Sequence, residues 1–281
     1  MKSIITFLTI IFSVILINAQ PVITDMIAPE IGDNWTITFM ENNNFSPGAG
    51  GVNQTWDFSG LDISNSVDLE VQILDQAEIA GGPSYPESDF VWYLQGFEVY
   101  NYYTVDEDSL TLIAGASIQN GSVDFETIFI DPEDGLQFPL TYGDNYDYYS
   151  LFQQFVFGMD LGTQERNGSV EVDGYGTIIT PNGTYENVLR VIVSETSFGF
   201  TSTQYSWFDV NNFVPIFLYE TSNDPDLVPS LYFSDPEIMS TSTHVLEGAS
   251  LEWSTWYNET SNELIIELPK LDETINGMLN I

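Results

Sequence analysis

Residues 175–198, YGTIITPNGTYENVLRVIVSETSF, constrain this chain more than any other stretch. Val188–Val193 is a β-branched run. In a strand, Leu189, Val191 and Val193 project to one face and Val188, Arg190 and Ile192 to the other. Both faces are apolar apart from Arg190, so the strand belongs inside a sheet and not at its edge. Thr180-Pro181-Asn182-Gly183-Thr184 precedes it. Proline presets φ for a turn and Asn-Gly tolerates positive φ, so 175–198 reads as a hairpin. Arg190 is one of only four basic residues in the chain. A lone arginine within a central strand requires a carboxylate beside it, which makes a structural ion pair its first role. Capture of an anionic ligand is the other.

The rest of the chain repeats the theme. Strand patterns cover Trp35–Met40, Gln54–Phe58, Val67–Leu74, Leu110–Ile118, Val123–Ile130, Tyr146–Phe157, Ser169–Thr180, Ser202–Phe208 and Pro215–Glu220. Phe90–Tyr103 reads as a hairpin turning at Gln95-Gly96, and Asn120-Gly121 and Asn167-Gly168 are further hairpin signals. No helix of three turns is predicted. Short strands with Gly, Asn and Pro turns predict an all-β fold, an antiparallel two-sheet β-sandwich of jelly-roll type with a short β tail. One phrase recurs: Gly32-Asp33-Asn34-Trp35 and Gly143-Asp144-Asn145-Tyr146 each open a strand. Recurrent turn chemistry is the preferred explanation, ahead of a duplication of half-sandwiches.

Residues 1–19 read as a signal peptide, with Lys2 before an apolar run and a small residue, Ala19, at the cleavage position. No later segment has the apolar length of a transmembrane helix. The remaining chain reads as a domain over 20–239, a polar linker over 240–252 and a tail over 253–281. Lys+Arg 4 against Asp+Glu 42 leaves a net charge of −38. That field repels nucleic acid and anionic lipid. Apolar residues at 43% exclude a disordered acidic chain. With no cysteine, stability rests on core size.

Two resemblances add to this reading. Val52-Asn53-Gln54-Thr55-Trp56-Asp57-Phe58-Ser59, Phe138-Pro139-Leu140-Thr141-Tyr142-Gly143-Asp144, Asp173-Gly174-Tyr175-Gly176-Thr177, Asn187-Val188-Leu189-Arg190-Val191 and Tyr205-Ser206-Trp207-Phe208 occur in order. On these the main domain resembles an uncharacterised all-β domain of secreted Bacteroidetes proteins, a family that carries no assigned activity. The tail, through residues 257–268 (YNETSNELIIEL) and 277–281 (GMLNI), is similar to the start of a type IX secretion C-terminal sorting domain. Asn258-Glu259 stands where that family has Pro-Asn-Pro, and the chain stops before the later strands, as in a truncated or degenerate sorting domain. The resemblance implies the type IX secretion machinery as a partner and a secreted or outer cell-surface location.

Elimination shapes the chemistry. The only histidine, His244, lies in the linker, so the domain holds no Ser-His-Asp triad and no histidine metal site. The only lysine outside the leader, Lys270, lies in the tail. Carboxylate chemistry survives. Asp131, Glu133 and Asp134, with Asp144 and Asp147 in a following loop, are candidate oxygen ligands for calcium, the one cofactor the sequence leaves open. Trp92, Tyr100 and Tyr102 are candidates for a sugar-stacking platform, or for core packing. The reading is a secreted, non-enzymatic, acidic cell-surface module for adhesion or extracellular polymer binding, with a glycan or surface protein as its partner. Its alternatives are a carboxylate-dependent glycan hydrolase and a structural matrix component.

Overall fold

The computed structural model describes residues 20–25, 28–42, 44–210, 214–234, 254–258 and 263–267. The leader 1–19, the linker 240–252, His244 and Lys270 lie outside the described residues. The chain divides into two compact units, Met1–Ser242 and Thr243–Ile281.

The first unit contains β1 (Val22–Ile23), β2 (Asn34–Glu41), β3 (Gly51–Asp57), β4 (Val67–Leu74), β5 (Phe90–Leu94), β6 (Val99–Val105), β7 (Ser109–Gln119) and β8 (Ser122–Gln137). It continues through β9 (Leu140–Thr141), β10 (Asn145–Val156), β11 (Met159–Ile179), β12 (Thr184–Ser197), β13 (Phe200–Asp209), β14 (Pro215–Ser222) and β15 (Ser230–Ser234). In the second unit, β16 (Ser254–Asn258) and β17 (Glu263–Glu267) form one antiparallel hairpin, where the sequence reads a single strand over 257–268.

The fold corrects the expected sandwich. Strands β10-β8-β7-β6-β5-β4-β2-β15-β14-β13-β12-β11 form one antiparallel sheet, and β11 also pairs with β10, so twelve strands close into a barrel. Nearly every barrel neighbour is the next strand of a meander. Sandwich and meander barrel therefore write the same local alternation. Closure rests on one pairing between chain regions far apart, β2 with β15, from Glu41↔Ser230 to Ile37↔Ser234. The five-residue β15 escapes a sequence reading that ends its strands at Glu220. Register shifts in β6–β7, β7–β8, β8–β10, β11–β12 and β13–β14 supply the bulges that let the sheet curve onto itself.

The recurrent Gly-Asp-Asn-aromatic phrase has a shared geometry. Gly32 and Gly143 have φ of 97° and 95°. Asp33 accepts from Glu30 N and Asp144 from Thr141 N, at 2.8 and 2.7 Å. Gly32 N donates to Ile73 O and Gly143 N to Val172 O, at 2.8 and 2.9 Å. The first phrase opens β2 and the second β10. The barrel is thus two six-stranded meanders, each opened by the same turn, and the short strands β1 and β9 pair with each other.

Turn chemistry is not uniform. Asn120-Gly121, at φ of 52° and 74°, makes the β7–β8 hairpin. Asn167-Gly168 makes no turn and runs through the middle of β11. The turn before it is Phe157-Gly158, at φ of 48° and 74°.

Over β12–β15 and over β5–β7 both faces of the wall are apolar because both are covered. Leu189, Val191, Trp35, Val71, Phe90 and Val172 belong to the interior core. On the outer face of β12–β15, Val188, Trp207, Phe217 and Phe233 pack under Trp56 of β3 and under Phe45 and Phe58. A third cluster, with Tyr85, Val91, Tyr102 and Ala114, lies under the 75–89 segment. Strand β3 reaches the wall by pairing in parallel with β11, alongside its 174–179 stretch. This approach requires glycine: a Cβ on Gly176 would stand 2.0 Å from Gln54 O.

Candidate functional site

Twelve strands enclose more space than small side chains fill, and the lumen keeps a cavity of about 410 Å³. Ile37, Trp92, Leu94, Val191, Val193 and Leu218 give it apolar walls. Its charged lining residues are Glu195 of β12 and Glu220 of β14, with Gln204 and Ser206 of the intervening β13 between them. Alternation along each strand places these groups together: residue 195 continues the inward series 189, 191, 193, and Glu220 stands opposite Gln204.

Glu195 is already partnered. Tyr148 Oη donates to Glu195 Oε1 at 2.5 Å. Arg166 Nη1 lies 3.6 Å from Glu195 Oε2. The Arg166 guanidinium also sits 5.2 Å from the Phe152 ring centroid and 5.8 Å from that of Phe129. Gly168 makes room for this arrangement. A Cβ there would stand 2.1 Å from Tyr148 Cζ, so its absence lets the tyrosine ring cross β11 to reach Glu195. Glu220 is different: among the described residues no hydrogen-bond donor to its carboxylate is found. Burial, and then the charge of Glu195, hold the Glu220 carboxyl above its ordinary pKa.

The raised carboxyl fixes a sign. The native state holds a proton on Glu220 more readily than the unfolded chain does, so its ionisation costs stability above the carboxylate range. Glu220→Gln is expected to raise Tm at neutral pH, and the gain should vanish as pH falls through that range. Thermal melts across pH test this; a lower Tm at neutral pH would refute it.

The residues singled out from sequence are distributed as follows. Trp92 faces the lumen, whereas Tyr100 and Tyr102 project outward from β6, so the three share no face. Tyr102 is fully buried against Tyr85, and burial pushes its hydroxyl up to about 12. Tyr100 stacks on Tyr93 at 4.5 Å. Asp131 is exposed on β8 and pairs in register with Leu151. Glu133 and Asp134 lie further along β8, opposite Leu112 and Thr111. Asp144 caps its own turn, accepting from Thr141 N and Oγ1 at 2.7 and 2.9 Å. Asp147 is exposed on β10. Among the described residues no group of three or more Asp, Glu, His or Cys side chains is arranged to hold a metal ion. Arg190 is 1% exposed and forms a bidentate pair with Asp173, outside the lumen.

Sequence reading did not single out Glu195, Glu220, Tyr148 or Arg166. Two carboxylates among 42 acids carry no local mark. Arg166 did carry one, as one of four basic residues.

The turns at one end of the barrel carry an apolar rim. Phe97, Phe157, Met159, Phe198, Leu227 and Val228 are exposed there, on or beside the β5–β6, β10–β11, β12–β13 and β14–β15 connections. Glu195 and Glu220 lie near the same ends of their strands.

Comparison with protein-family models, with curated proteins and with solved structures returned no match. The class defined here is therefore an all-β closed antiparallel barrel with an amphipathic lumen. Among the described residues no helix is long and apolar enough to cross a membrane.

Proposed function

We propose that this chain is an exported, non-enzymatic binding protein, and that its site is the lumen of the barrel. Its ligand is a small amphipathic molecule or the end group of an extracellular polymer. The carrying observation is the cavity of about 410 Å³, lined mostly by apolar side chains, with the carboxylates of Glu195 and Glu220 as its charged groups. Concave, mostly apolar sites with a few convergent polar groups are the usual form of a small-ligand site. The apolar rim supports work at a surface, since exposed apolar clusters mark contact sites. Export and surface location rest on the leader and on the sorting-like tail.

A neutral fluorescent amphiphile, N-phenyl-1-naphthylamine, tests this reading. Saturable binding to the full chain is expected, and Val193→Trp, which fills the lumen, should abolish it with little change in Tm. Binding that survives Val193→Trp would move the site elsewhere, and no saturable binding would end the reading.

Glu195 and Glu220 also support a second reading. One carboxylate paired with an arginine and a second whose pKa burial raises form the kind of unequal pair a glycoside hydrolase uses. Turnover of 4-nitrophenyl glycosides that is lost in both Glu195→Gln and Glu220→Gln would establish it; absence of turnover across a panel would remove it.

A further inference from the structure

The identity of the ligand can be narrowed, taking the lumen as the binding site. The cavity opens to solvent, so a ligand can reach it. The unfilled space here is bounded by hydrocarbon over most of its wall and by two carboxylates at one side. Their charges are not equally matched. Glu195 is committed to Tyr148 and Arg166 before any ligand arrives. Glu220 faces the same space, and no other charged residue among the cavity's lining residues opposes it. A carboxylate inside a cavity with no cationic partner is costly to leave uncompensated. A ligand that brings a positive charge removes that cost, and an anion adds to it. Aromatic rings complete the chemistry: Trp92, Tyr103, Phe208 and Tyr232 line the cavity, and aromatic faces attract cations. The protein's net charge of −38 draws cations toward the site and repels anions.

We propose that the lumen binds an amphipathic ligand with a single cationic head, an ammonium or guanidinium, seated on Glu220, its apolar body lying along Val191, Val193 and Leu218. Arg166 and Tyr148 hold Glu195 in place and prevent the second carboxylate from competing for the cation. The site is thus built for one positive charge and not two.

Three probes of equal size separate the possibilities: 2-phenylethylammonium, 2-phenylethanol and phenylacetate, titrated calorimetrically into the full chain at neutral pH. The ammonium is expected to bind about tenfold more tightly than the alcohol, the scale of one desolvated charge pair, and phenylacetate to be the weakest. Glu220→Gln should collapse the ammonium-to-alcohol ratio to about one and leave the alcohol's affinity unchanged. Val193→Trp should remove binding of all three. Equal affinities in the wild type, tightest binding of phenylacetate, or a preference that survives Glu220→Gln would each overturn the cationic assignment while leaving the lumen as a binding site. Failure of all three probes to bind would overturn both.

Discussion

Arg190→Leu should lower stability by about 3–5 kcal/mol, the usual cost of stranding one member of a buried ion pair. Arg190 is 1% exposed and is held by four hydrogen bonds and by the aromatic rings around it. Its Nε donates to Asp173 Oδ1 at 2.7 Å and its Nη2 to Asp173 Oδ2 at 2.5 Å. Its Nη1 donates to the carbonyls of Pro47 and Gly48 at 2.7 and 3.1 Å. The guanidinium also lies 5.2 Å from the Trp56 ring centroid and 5.5 Å from that of Trp207. Leucine would leave Asp173 charged and uncompensated and two carbonyls unpaired. For a domain of this size the loss corresponds to a fall in Tm of about 10 °C. Arg190→Lys should recover little, because an ammonium cannot bridge both carboxylate oxygens and both carbonyls. The double change Arg190→Leu with Asp173→Leu should recover part of the loss by removing the stranded charge. A Tm within about 2 °C of wild type for Arg190→Leu would show that the pair contributes no net stability.

Gly176→Ala is the second large effect. A methyl group at 176 would stand 2.0 Å from Gln54 O and 2.6 Å from Gln54 N, and neither backbone atom can swing aside as a side chain would. Strand β3 must withdraw from β11, taking Trp56 from its packing with Trp207, 6.0 Å between centroids. The expected loss is about 3 kcal/mol, the upper part of the overpacking range. Tryptophan emission should shift to the red as Trp56 and Trp207 meet water. Gly60→Ala, where a Cβ meets nothing within 4 Å, is the control and should be silent. Because β3 lies outside the barrel, Gly176→Ala should spare ligand binding in the lumen at temperatures below its melt. Equal Tm values for the two alanine variants would refute the close-approach argument.

These two positions show how unevenly the molecule is written in its sequence. That a strand arginine among so many acids needs a carboxylate follows from charge and burial alone. Which carboxylate, Asp173, depends on a bulge in β11 between Val172 and Gly174 that local sequence does not mark. Gly174 and Gly176 fall inside a strand pattern that gives no reason for them; their use is to admit a second backbone. Asn167-Gly168 carries a hairpin signature, yet its glycine serves a tyrosine ring, since no backbone reversal is needed where β11 continues.

The sequence by itself determined most of the strands, most of the turns and the all-β class, because alternation and turn chemistry act over a few residues. It also determined the double-faced apolar character of β12. Only the tertiary structure decided that the sheet closes, because closure depends on β2 meeting the short β15 nearly the whole domain away. Closure in turn decided which of two apolar faces became a lumen and which was sealed by β3. The meeting of Glu195 with Glu220 followed from the same event: each is one acid among 42, and only the curvature of the wall turns both into one cavity.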